Sequence, residues 1–96
     1  MVMTKLEARV SKENWTVLEQ VYQLATQHQD AGIVQTFLVH DAKDMNLWRI
    51  MTVWQSWKAL DAMRSSGETP RGLLLFREAK AEPALTIFDV AQHADW

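Results

Sequence analysis

The residues of this chain whose chemistry invites a role are three histidines, one tyrosine and one arginine. The histidines are His28, His40 and His93. None has metal-ligand spacing to another histidine or a carboxylate on one helix face, so no metal site is expected. His28 falls at the end of a predicted helix, where a cation suits the negative end of the backbone dipole. His40 ends a predicted strand and precedes Asp41. A histidine beside an aspartate can serve in proton transfer. Neighbouring residues of a strand point to opposite faces, however, so the two need not meet. His93 lies in the tail and reads as solvated. Tyr22 lies on the apolar stripe of a predicted helix and shares with His40 the role of candidate polar handle. Arg49 lies inside an apolar strand and needs a partner there. Glu7 across the sheet, a second copy of the chain, or an anionic ligand can each supply one.

Other patterns carry less. Gly67-Glu68-Thr69-Pro70-Arg71-Gly72 has the glycine spacing of a phosphate loop. It lacks the following lysine and hydroxyl that hold phosphate and magnesium. Asn14-Trp15-Thr16 matches a glycosylation sequon, but nothing at the start of the chain resembles a signal peptide. No Ser/His/Asp set stands out, and the hydroxyls fit caps and strand faces. Met3, Met45, Met51 and Met63 read as core filler.

The elements that must position these residues follow from periodicity. Val2, Leu6, Ala8 and Val10 alternate with Lys5, Glu7 and Arg9, which predicts a strand with one covered face. Ser11 is a candidate N-cap. Trp15, Leu18, Val21, Tyr22 and Ala25 then predict a helix over 12–28 with one apolar stripe. Asp30-Ala31-Gly32 ends it, glycine being suited to the left-handed conformation of a helix stop. Ile33 to His40 and Leu47 to Trp54 read as strands joined by a polar loop, a hairpin. Both are apolar at both parities, which predicts cover on both sides. Ser56 caps a second helix, with Trp57, Leu60 and Met63 on one face and Arg64-Ser65-Ser66-Gly67 closing it. Thr69 as N-cap and Pro70 at the first helical position open a third. Leu73, Leu74, Phe76 and Ala79 form its apolar side, and Glu82-Pro83 breaks it. Residues 84–91 alternate again as a last strand.

This order is the split βαβ, ferredoxin-like arrangement. The expected fold class is α+β, βαββαβ, with a four-stranded antiparallel sheet and helices on one face. The other face is expected to meet a second copy, giving a dimeric α/β barrel. Five tryptophans in so small a chain, Trp15, Trp48, Trp54, Trp57 and Trp96, also suggest an interface or an aromatic-lined pocket.

Composition narrows the function classes. Ninety-six residues make one domain. Ten Lys and Arg against twelve Asp and Glu give a net charge of −2. That argues against a nucleic-acid partner, which would ask for a basic patch. Without cysteine there is no disulfide, no zinc–cysteine site, no iron–sulfur cluster and no thiol catalysis. No apolar run reaches the ~18 residues of a membrane span. A cytoplasmic protein with no membrane contact is expected.

The run Trp48-Arg49-Ile50-Met51-Thr52-Val53-Trp54-Gln55-Ser56, followed by Ala59-Leu60-Asp61-Ala62, resembles the signature of the antibiotic biosynthesis monooxygenase family. The closing Pro83-Ala84-Leu85-Thr86-Ile87-Phe88-Asp89-Val90 is similar to that family's last strand. Order and length agree over nearly the whole chain. The resemblance implies a dimeric α/β barrel with a pocket between sheet and helices. It also implies one of several chemistries. Some members oxidise phenols or anthrones to quinones with dioxygen and neither metal nor flavin, and some degrade haem. The haem-degrading branch uses an Asn, a Trp and a His at positions that hold Ala8, Met63 and Leu73 here. Without that histidine no axial iron ligand stands there, so haem degradation is not expected unless His40 substitutes from another wall.

Two functions follow as expectations. One is a cofactor-independent monooxygenase for a small phenol-, anthrone- or hydroquinone-like substrate. Its pocket walls would be Tyr22, Trp54, Met63 and Leu73, with His40 or Tyr22 as the catalytic polar group. The other is a non-catalytic homodimer of the same fold that binds a small ligand or a partner protein.

Overall fold

A computed structural model of the chain describes residues 1–28, 30–67 and 70–96. Eight-residue strands β1 (Val2–Arg9), β2 (Ile33–His40) and β3 (Leu47–Trp54) and the shorter β4 (Ala84–Asp89) form one antiparallel sheet in the order β2-β3-β1-β4. Helices α1 (Trp15–Ala25), α2 (Trp57–Arg64) and α3 (Arg71–Glu78) cover one face. The architecture is the ferredoxin-like α+β fold that the periodicity predicts. Among the described residues no helix is long and apolar enough to cross a membrane.

The alternation of β1 decides which face is which. Val2, Thr4 and Ala8 are buried beneath the helices, while Lys5, Glu7 and Arg9 point to the opposite side. β3 obeys the same parity, with Trp48, Ile50, Thr52 and Trp54 all buried on the helix face. Its other face is also largely covered, and Val53 is buried there. β2 departs from the expected two-sided cover. It is an edge strand with a bulge at Ile33–Gln35, and Val34, Phe37 and Val39 are exposed in the single chain.

Several boundaries shift for local reasons. A 3-10 turn over Lys12–Asn14 precedes α1, and Ser11 caps through no side-chain bond to the backbone; it accepts from Asn14 Nδ2 at 3.1 Å. α1 stops at Ala25, three residues short of the expected end. The Thr26 hydroxyl donates to the Tyr22 and Gln23 carbonyls at 3.0 and 3.2 Å, and no apolar residue follows to be buried. Gly32, at φ +89°, serves the turn into β2 instead of the helix stop. Its left-handed backbone and the nearby Ala59 Cβ leave no room for a side chain. Ser56 does cap α2, its Oγ accepting from the Ala59 N–H at 3.1 Å.

Pro70 is the N-cap of α3 and not its first helical residue, so the helix starts one position later than expected. The proposed cap Thr69 lies outside the described residues. The helix stops before Glu82-Pro83, at Lys80 in the left-handed region (φ 59°). There Ala81 N–H donates to Phe76 O at 2.9 Å and Lys80 N–H to Arg77 O at 2.9 Å, satisfying two terminal carbonyls. Leu74 and Met45 are exposed, not core.

The core has two parts. One packs Val10, Leu18, Trp48, Ile50, Phe76 and Ala79 into a dry block. The other gathers Val2, Trp54 and Leu60, with Ile33, Met63 and Ile87 around them.

Candidate functional site

Between the two parts of the core the helices stand off the sheet and leave a cavity of about 610 Å³. It lies toward the end of the sheet where β3 finishes and β2 begins. This size falls in the range of small-molecule sites, roughly 300–1,000 Å³. Much of the wall is apolar, with Leu6, Ile50, Leu60, Met63 and Leu73 among its residues. Gly72 matters to its shape. A Cβ there would meet Leu6 Cδ1 at 2.5 Å, so α3 approaches β1 closely because residue 72 has no side chain.

The sheet side of the cavity is polar along one line. Thr36, Thr52 and Thr4 are register partners on β2, β3 and β1, so their hydroxyls form a row across three strands. Thr36 Oγ1 and Thr52 Oγ1 are 3.4 Å apart. Tyr22 on α1 donates its hydroxyl to Thr36 Oγ1 at 3.4 Å. Trp54 donates its indole N–H to Thr4 Oγ1 at 3.1 Å. The row is thus held at both ends by an aromatic side chain, and all five residues line the cavity. Hydroxyls can donate or accept as a ligand requires. A ligand oxygen, neutral or anionic, can therefore be met here without a charged group.

The charged and imidazole side chains of the cavity lie elsewhere. His28 and Asp30 come from the α1–β2 connection, Arg64 from the end of α2 and Arg71 from the start of α3. Arg71 Nη1 lies 3.3 Å from Asp30 Oδ2 and donates to the Ala25 carbonyl at 3.2 Å.

The expected site residues divide accordingly. Tyr22, Trp54, Met63 and Leu73 line this one cavity. His40 is not among its lining residues. It stacks on Trp48 with ring centroids 4.8 Å apart, with Trp15 at 6.2 Å. Nor does it meet Asp41, which accepts from the Lys43 and Asp44 N–H groups at 3.0 Å and faces Arg49. Of the positions compared with the haem-degrading branch, Met63 and Leu73 share the cavity and Ala8 belongs to the dry block. His28, expected as a helix-end cation, lies beyond the helix and lines the cavity instead. Among the described residues no three His, Asp or Glu side chains gather to hold a metal ion.

Arg49 finds the partner expected of it. On the face away from the helices it donates to Glu7 and, at 3.4 Å, to Asp41. The guanidinium bond holds the Glu7 carboxyl below its usual range. The Asp41 carboxyl is lowered first by the Lys43 and Asp44 backbone N–H groups and then by Arg49. Arg49 itself is held more firmly protonated, chiefly by Glu7.

The threonine row and the charged residues of the cavity are what the sequence reading missed. A signal existed for the first. Thr4 and Thr52 occupy the buried parity of strands whose other members at that parity are largely apolar.

No family model and no curated protein sequence matches the chain. Solved structures do. A candidate antibiotic biosynthesis monooxygenase from Deinococcus radiodurans superposes with a TM-score of 0.76 at 13% identity, over 100% of this chain and 98% of that one. A variant of SnoaB, a cofactor-independent oxygenase from Streptomyces nogalater, gives 0.71 at 17% identity over 96% and 94%. A variant of MhuD with two manganese protoporphyrin IX molecules bound per active site gives 0.69 at 16% identity over 100% of both chains. The chain is built on the fold that these structures share, over essentially its full length.

Proposed function

We propose that this chain is a cofactor-independent oxygenase whose cavity binds a small fused-ring phenol or anthrone. The observation that carries this reading is the row of Thr36, Thr52 and Thr4 hydroxyls, held by Tyr22 and Trp54, along an otherwise largely apolar cavity. The shared fold with SnoaB supports it. An anthrone-type ring loses a proton to become an electron-rich anion, and that anion can reduce dioxygen directly. One oxygen atom becomes the new ring carbonyl, and the other leaves as water with the two hydrogens of the ring methylene. The chain's part is to orient the ring oxygen on the hydroxyl row, stabilise its anion by hydrogen bonds and keep water away from the apolar part of the ring. Tyr22 is the polar handle of this reading. His40 has no part in it, because it lies outside the cavity.

The functional unit is a homodimer through the sheet face opposite the helices. Phe37, Val39 and Phe88 are 47%, 39% and 41% exposed on that face, apolar side chains that a second copy would cover. Sedimentation at micromolar concentration is expected to give a dimer, and a monomer would end this part of the reading.

Oxygen uptake with a panel of anthrones, naphthols and hydroquinones tests the chemistry, with the quinone product identified by mass. Consumption of dioxygen matched by quinone supports the oxygenase. Saturable binding without oxygen uptake supports the non-catalytic ligand-binding homodimer in its place. Haem in the same panel is expected to stay intact.

A further inference from the structure

The charged side chains of the cavity contain an imbalance that its threonine row does not. Arg64 and Arg71 are two guanidinium groups, and Asp30 is the one carboxylate that lines the cavity with them among the described residues. Asp30 is engaged by Arg71. Arg64 has neither a hydrogen bond nor an ion pair among the described residues. One positive charge is therefore unmatched at the edge of an apolar cavity. Low-dielectric walls focus the field of such a charge and draw an anion toward it.

We infer that the ligand is an amphipathic monoanion, with its aromatic body in the cavity and a carboxylate on Arg64. A guanidinium takes a carboxylate through two parallel N–H bonds, a geometry that lysine cannot offer. A single unmatched charge suits a carboxylate better than a doubly charged phosphate. Arg71 is the second donor within the same cavity. Its bonds to Asp30 and to the Ala25 carbonyl fix its position before a ligand arrives.

The cavity offers both features that a fused-ring acid needs, the hydroxyl row for the ring oxygen and the Arg64 guanidinium for the acid, all among its lining residues. Ring systems lacking the acid would enter but bind less tightly. This inference rests on the proposed use of the cavity as the substrate site, and not on the oxygen chemistry.

The test is a matched pair, a hydroxynaphthoic acid and its methyl ester, titrated near neutral pH by calorimetry into the wild-type protein and into Arg64→Gln. Both ligands carry the same ring and the same phenol, so their difference isolates the acid. The acid is expected to bind about five- to tenfold tighter than the ester, the worth of a partly solvated charge-assisted contact. Arg64→Gln is expected to bring the acid down to the level of the ester. Ester binding by the variant shows that its cavity is intact. Added salt is expected to weaken the acid and not the ester. Equal affinities in the wild type, or a preference that survives Arg64→Gln, would overturn the inference and leave the cavity standing as a ring-binding site. Binding of neither ligand would overturn the inference together with the proposed use of the cavity.

Discussion

Trp48 and Trp54 lie on the same face of the same strand, six residues apart, and both are almost fully buried. Their surroundings differ. Trp48 is enclosed by Phe76, Leu18 and Val10 in the dry block, and its indole N–H has no hydrogen-bond partner among the described residues. Trp54 looks into the cavity, and its N–H reaches Thr4. One half of the sheet face is filled with aromatic and aliphatic side chains. The other half is lined by threonines, and the helices above it leave a cavity. Two halves of one sheet, under the same layer of helices, thus differ in that one is packed and the other is left open. Packing fills one half, and polar groups placed without filling keep the other open.

The largest effect should come from the filled half. Phe76 is fully buried, and Phe76→Ala is expected to cost about 3–5 kcal/mol by denaturant unfolding. A cost below about 1 kcal/mol, less than truncating any well-packed aromatic, would mean that the block is not packed. In the open half the expected effect moves from stability to binding. Tyr22→Phe should weaken ring binding or oxygen uptake about tenfold, the loss of one hydrogen bond to the ligand or to its anion. It should change stability by less than about 1 kcal/mol, because the bond it removes is long at 3.4 Å. A variant that binds and turns over like the wild type would take Tyr22 out of the site.

The tryptophan pair sharpens the contrast further. Trp54→Phe strips the Thr4 hydroxyl of its donor, whereas Trp48→Phe removes a buried N–H that has no partner among the described residues. Trp54→Phe is therefore expected to be the more destabilising, by about 1 kcal/mol. Equal losses would show that the Trp48 indole has a partner after all.

The smallest effect belongs to the far face of the sheet. Glu7 titrates below its ordinary value of 4.5 because Arg49 bonds to it. A lowered carboxyl adds stability above its unfolded pKa, and that share is lost as pH falls through the folded one. The urea midpoint should therefore drop as pH falls below 4.5, and Glu7→Gln should flatten the drop. Asp41, lowered from 3.8, leaves a remainder at still lower pH. Superimposable pH profiles would mean that the Glu7–Arg49 pair contributes nothing measurable.

The sequence allowed the sheet to be read closely, and the cavity much less so. β2 and β3 run between the expected residues, because β-branched runs bounded by turn residues leave little freedom. Ser56 and the Glu7–Arg49 pair were legible for the same reason, since a cap and a mid-strand charge each have few solutions. Helix ends were not. Thr26 stops α1 through its own hydroxyl, and Lys80 takes a left-handed conformation more usual for glycine. The threonine row stayed hidden because threonine is also an ordinary strand former. Only the pairing of three strands shows that its hydroxyls line up. His28 is far in the chain from Arg64 and Arg71, and only the folded helices bring the three to one cavity.

A feature of the sheet's bare side has a further consequence. Lys5, Arg9 and Arg49 are answered there, within one protomer, by Glu7, Asp44 and Asp41, three cations for three anions. In the proposed dimer a charge on the two-fold axis would meet its own copy, whereas a charge off the axis would meet another group of the same face. A like-charge contact on the axis would cost less where the group is already paired within its own chain. With its charges settled internally, this face would bring little electrostatic preference to the proposed dimer, and its exposed phenylalanines and valine would decide the fit.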